Sequence, residues 1–314
     1  MAQTFTGRNV SSIVVYAIVS GFALSWLVLL VMIPMLTTPF SPGTLASFPF
    51  GLDYPYLVNL LFQLLITALI LLAIFHNGLD LINKAAKGVV RRQEGPKIKR
   101  FDLNQRIQHV WLFTTTAILA LTGFAPMYYE SWGRLIIVPM GGLQIDWDIH
   151  LFSAFLLGIL VVYHFAFYGA KYLAARARGE HPSLPIMMGM GMVKEFIQNM
   201  KYMLLGRGEE PKYGKYNYGQ KFDYWGIYWG MVILAAPGVL LWMYGYSLGT
   251  LPFIFHTDEA MLAVLFLLAF HFYQVHWNPK AFPVNGIFLT GDITEGEMQQ
   301  EHPLEMEKLR SGGK

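Results

Sequence analysis

Four of the nine histidines fall in pairs at or within two apolar runs, His150 with His164 and His256 with His271. On a continuous α-helix their spacings correspond to net rotations of about −40° and +60°, so each pair lies on broadly one face. The members of a pair stand about 21–22 Å apart along the axis, which puts one imidazole near each membrane surface. Ionisable side chains inside an apolar span are functional by default. Neutral imidazole is a good iron donor, and two facing helices of this kind can clamp two flat macrocycles, one per leaflet. Ala154 and Gly158 on one helix, and Ala260 and Ala263 on the other, leave room for them. Close helix packing also explains small residues, but it gives no reason for four histidines in register. Two imidazoles saturate iron, so the expected chemistry is electron transfer rather than gas binding.

The elements that must position these residues are membrane helices. The chain has 314 residues, 54% hydrophobic and 14% charged, against about 25% charged in soluble domains. Apolar stretches at 12–36, 56–82, 107–129, 147–175, 222–246 and 257–277 are each long enough to cross a bilayer as a helix. The first run, Ile13 to Met35, is too long for a signal-peptide core and reads as a retained span. All but one of the 23 Lys and Arg residues, the exception being Arg134, lie on one side of a six-span arrangement or at its span ends. The positive-inside rule then places both termini in the cytoplasm. The expected fold is all-α: four helices that bind haem, with two N-terminal helices before them. Residues 1–100 hold the N-terminal spans and a basic loop, 101–280 the core, and 281–314 an acidic cytoplasmic tail expected to be a solvated extension.

Several chemistries are excluded or disfavoured. The absence of cysteine rules out disulfides, thiolate-ligated clusters and attached c-type haem. No P-loop, dinucleotide fingerprint or nucleic-acid motif is present, and the basic residues border membrane, where anionic lipid is the simplest partner. Residues near 190–205 read as an amphipathic interfacial helix whose Met stripe serves packing. A proton-relaying transporter would need polar groups between the histidine levels, but Leu156, Ile159, Val161, Leu265 and Leu267 stand there. A non-redox anchor for an enzyme complex gives no reason for paired histidines.

By topology His150 and His256 share the outer level. The inner level offers His271 with either His109 or His164, and also His276 and His76. Arg106 lies one turn from His109, placed to neutralise haem propionates. Arg106-Ile-Gln-His109 with Leu121-Thr-Gly123, Asp148-Ile-His150, Lys215-Tyr-Asn-Tyr-Gly-Gln-Lys221, His256-Thr-Asp-Glu-Ala260 and His271-Phe-Tyr273 together resemble bacterial di-haem cytochromes b. These are membrane subunits of formate dehydrogenase and nickel–iron hydrogenase, and the likeness covers about residues 100–280. The ending, from His276-Trp-Asn-Pro279 to Glu301-His-Pro-Leu-Glu305, is similar to a subgroup associated with multihaem c-type cytochromes.

The resemblance implies an outer haem on His150 and His256, an inner haem on His109 and His271, and quinone beside Asn217, Gly219 and Gln220. A helix cap is the alternative role for that last segment. The chain departs from the pattern in its two extra N-terminal spans with His76, in His164, and in a sixth-span spacing of 15 rather than 14. These leave room for a third haem using His164 with His276 or His76. His181 and His302 are expected to bind nothing. The expected function is electron transfer in the bacterial inner membrane, as one subunit of a quinone-linked oxidoreductase complex. It would run between the quinone pool and a periplasmic partner such as a multihaem c-type cytochrome or an iron–sulfur protein. The aromatic segment 126–147 is a candidate docking surface, though interfacial anchoring accounts for it equally.

Overall fold

The computed structural model describes residues 54–206 and 208–312. The expected span at 12–36 lies outside them. Five described helices are long and apolar enough to cross a membrane, as in an all-α membrane protein, and the described residues add one two-stranded ribbon. In order they are α1 (Tyr54–Ala86), β1 (Lys97–Lys99), α2 (Leu103–Met127), α3 (Arg134–Met140), α4 (Leu143–Ala177), α5 (Met190–Leu205), α6 (Tyr218–Tyr244), α7 (Leu251–Phe266), α8 (Ile287–Thr290), β2 (Asp292–Thr294), α9 (Glu295–Glu301) and α10 (Pro303–Arg310). The α7 span continues to Trp277 through π-helical turns at Leu267–His271 and Tyr273–Trp277.

The described residues group into two compact units. One unit comprises residues 54–94, 185–285 and 295–312, and the other 95–184 and 286–294. In the first, α7 packs on both α6 and α1. Its apolar core includes Ile66, Ile70, Ile254, Met261 and Leu265, each nearly fully buried. Below this core lies a polar network. Asn199 donates to the Tyr218 hydroxyl, which lies 2.6 Å from His76 Nε2, and Asn77 Oδ1 lies 3.0 Å from His76 Nδ1. Asn77 donates to the Ala269 carbonyl, while Asp80 accepts from Lys84, Tyr273 and Asn278. Every link satisfies a group that would otherwise be costly to bury.

The acidic tail is not a solvated extension. Met298, His302 and Met306 are almost wholly buried at four-residue intervals, and Glu297 is buried with them. Arg91 Nε donates to the Glu297 carboxylate, Gln300 donates to the Val90 carbonyl, and His302 Nδ1 meets the Gly214 carbonyl at 2.7 Å. Charge misled the sequence reading because one narrow apolar face suffices to dock a short helix.

In the second unit α2 packs along α4. β1 pairs antiparallel with β2, with Ile98 opposite Ile293. Between α2 and α3 the chain turns tightly against α2. A Cβ on Gly133 would lie 1.8 Å from the Ala125 carbonyl oxygen, so only glycine fits there.

Candidate functional site

Both units contain a hairpin of the same design. α2 opens with Asp102 as N-cap and Gln105 at N3, each side chain capping the other's backbone N–H. α6 opens identically with Asn217 and Gln220. Six residues after each cap stands an acceptor, Gln108 or Asp223, and 21 residues after it a glycine, Gly123 or Gly238. The following helix of each hairpin carries the paired histidines. This repeat escaped the sequence reading, although aligning the two capping boxes exposes it.

The acceptors and glycines meet the histidines. His164 Nδ1 lies 2.7 Å from Gln108 Oε1, and His271 Nδ1 lies 2.8 Å from Asp223 Oδ2. For the first histidine of each pair, His150 Nδ1 lies 2.9 Å from Thr122 Oγ1, and His256 Nδ1 lies 2.9 Å from the Leu234 carbonyl oxygen. Thr122 spends its own proton on the Ile118 carbonyl, so its oxygen accepts from His150. Carboxylate, amide and carbonyl oxygens only accept. All four imidazoles therefore donate through Nδ1–H, which leaves the lone pair of the neutral ring on Nε2. Orientation of this kind is what an outer hydrogen bond does for a metal-ligating histidine.

The glycines make room for the same rings. A Cβ on Gly238 would stand 2.9 Å from His256 Nδ1 and Cε1, and one on Gly123 would stand 3.4 Å from His150 Cε1. Nothing lies within 4 Å of a Cβ built on Gly158, on the face between His150 and His164. The four imidazoles are half-buried.

The π turn at Leu267–His271 bears on the unequal spacings. A π turn takes up about one residue more than an α turn. The 15 residues from His256 to His271 then advance the helix much as the 14 from His150 to His164 do. The rotation of about +60° expected for a regular helix is thereby corrected toward that of the other pair.

The remaining candidates have other geometries. His109 packs its ring against Phe288, with centroids 5.3 Å apart. His276 Nδ1 accepts from the Asn285 backbone N–H at 3.3 Å, which puts the proton of the neutral ring on Nε2, opposite to the four paired histidines. His76 engages both ring nitrogens, with Asn77 and Tyr218, so a ligand role in a third haem has no nitrogen to use. Arg106 lines a cavity that no histidine lines. Asn217 and Gln220 use their oxygens in the cap, and Gly219 sits beside Phe270, 3.6 Å from where its Cβ would be. Exposed His181 meets Arg176 at 2.8 Å.

Among the described residues, no three His, Asp or Glu side chains converge as the ligands of a bare metal ion would. Axial ligation of a porphyrin needs only two imidazoles, one on each face, and the set of Nε2 donors beside small residues fits that group. No family model matches the chain, and no curated protein matches it either.

Proposed function

We propose that this chain is a membrane electron-transfer subunit of a quinone-linked oxidoreductase complex and that it holds two b-type haems. The observation that carries the reading is the common tautomer of His150, His164, His256 and His271, each held through Nδ1 by the preceding helix of its own hairpin. A proton relay would need donors and acceptors alternating along a path, whereas four identical orientations suit four metal ligands. The proposed outer pair is His150 with His256. The proposed inner pair is His164 with His271, because Gln108 and Asp223 hold them from equivalent positions of the two hairpins.

When bound, haem supplies a one-electron site at each level of the membrane. The chain's own residues fix the imidazole planes, exclude competing ligands by offering two donors per iron, and keep the intervening helix faces apolar. Quinone is proposed as the electron partner at the inner level. There Gln220 still has its amide N–H groups to donate to a quinone oxygen, since the cap uses only its Oε1. The basic segments favour the cytoplasmic face of a bacterial inner membrane for that level under the positive-inside rule, and a periplasmic redox subunit is the proposed second partner.

Rapid mixing of the purified chain with a soluble naphthoquinol tests the reading. Haem reduction at the rate of quinol binding is expected. A haem-loaded chain that dithionite reduces but quinol does not would remove quinone from the account.

Gly238→Ala is expected to push the His256 ring off the Leu234 carbonyl and to lower haem content by about half. Gly226→Ala, where nothing lies within 4 Å of the new Cβ, should leave it unchanged. Haem-to-protein ratios of the two purified variants check this, and equal ratios would contradict the crowding argument.

A further inference from the structure

The cavity beside Arg106 lies wholly within the second unit and encloses about 630 Å³ between α2, α4 and α8. Its walls are apolar along most of their length: Val110, Trp111, Ile118, Phe152 and Leu156, with Phe288 at one end. Leu103, Ile107 and Phe152 are exposed, so the groove opens outward from the helices. Its polar end belongs to Arg106, in the first turns of α2. Arg106 Nε is buried and has no hydrogen-bond partner. Leaving such a donor unmet is costly, and more so for a charged group.

A second cation stands next to it. A Cβ built on Gly291, which follows α8, would meet Arg106 Cδ at 2.9 Å and Lys99 Nζ at 3.2 Å. Lys99 is largely exposed and pairs with Asp292 at 3.4 Å. Two neighbouring cations thus stand where the groove reaches Arg106, and Asp292 pairs with Lys99. The complementary ligand has a single anionic head and a long apolar tail. A neutral quinone matches the groove but leaves the charge of Arg106 and its buried Nε unanswered.

We propose that this groove binds one acidic glycerophospholipid, with its phosphodiester at Arg106 and Lys99 and an acyl chain between α2 and α4. Basic side chains at the ends of membrane helices favour anionic headgroups in this way. The site replaces the haem-propionate role that the sequence suggested for Arg106, and it does not depend on whether the chain binds haem.

Native mass spectrometry of the full chain, extracted in mild detergent and exchanged with equal phosphatidylglycerol and phosphatidylethanolamine, tests it. One phosphatidylglycerol per chain is expected to be retained in preference to phosphatidylethanolamine. Retention should fall at least tenfold in the double variant Lys99→Gln, Arg106→Gln. Thr114→Trp, which fills the exposed groove wall without touching either cation, should produce the same loss. Should the double variant fail to fold, Thr114→Trp still decides the matter. Equal retention of both lipids, or unchanged retention in Thr114→Trp, would overturn the proposal. So would displacement of the lipid by sn-glycerol 3-phosphate alone, which marks a bare phosphate site, or loss of a quinone in place of a lipid.

Discussion

Alanine at His150, His164, His256 or His271 is expected to remove one of two haems, whereas alanine at His109 leaves both in place. The four share one arrangement, Nδ1 fixed by an oxygen acceptor with the lone pair of the neutral ring left on Nε2. Losing one of two ligating imidazoles would leave a haem held by a single side chain, and that haem would be lost during purification. Electron transfer through the membrane should fall to background in each of the four, since one remaining haem spans only one leaflet. His109 is the discriminating case. The family resemblance favours it as the inner ligand, while the paired design of the hairpins favours His164. Haem-to-protein ratios after purification decide between them. A one-haem His109→Ala protein beside a two-haem His164→Ala protein would show that the hairpin symmetry misassigns the inner level.

Asp223→Leu is expected to weaken binding at the inner haem by about 10–100-fold, the range typical when the outer partner of a ligating histidine is lost. Asp223 is buried, and its Oδ2 accepts from His271 at 2.8 Å. Without that acceptor the imidazole can rotate, and its Nδ1–H is left in an apolar setting. Asp223→Asn separates orientation from charge. The amide oxygen still accepts from Nδ1–H, so haem content should hold. Removing the negative charge makes the imidazole a poorer donor to ferric iron, so the inner haem's reduction potential should rise. Redox titration of the two variants checks both effects. An unchanged potential in Asp223→Asn would indicate that the carboxylate packs the helices without tuning the ligand.

The five described spans were legible in the sequence because they depend on long-range apolar patterning. Each described span begins a few residues before its expected start, since caps such as Asp102 and Asn217 start helices outside the apolar core, whereas α2 and α6 end short of their expected last residues. What surrounds the histidines was less legible. The Leu234 carbonyl that meets His256 leaves no side-chain signature at all. Asp223 carries no signal of its own beyond its place six residues after a capping box, which matches that of Gln108. The π turn before His271 is a backbone choice that residue types do not announce. For the tail, net charge hid a regular signal, the four-residue spacing of Met298, His302 and Met306.

The most direct measurement is a pyridine-haemochromogen count combined with low-temperature electron paramagnetic resonance on the purified, oxidised chain. The account predicts two b-type haems per chain, both low-spin with two imidazole ligands. A correctly folded but colourless protein, or high-spin iron with one axial ligand, would contradict it.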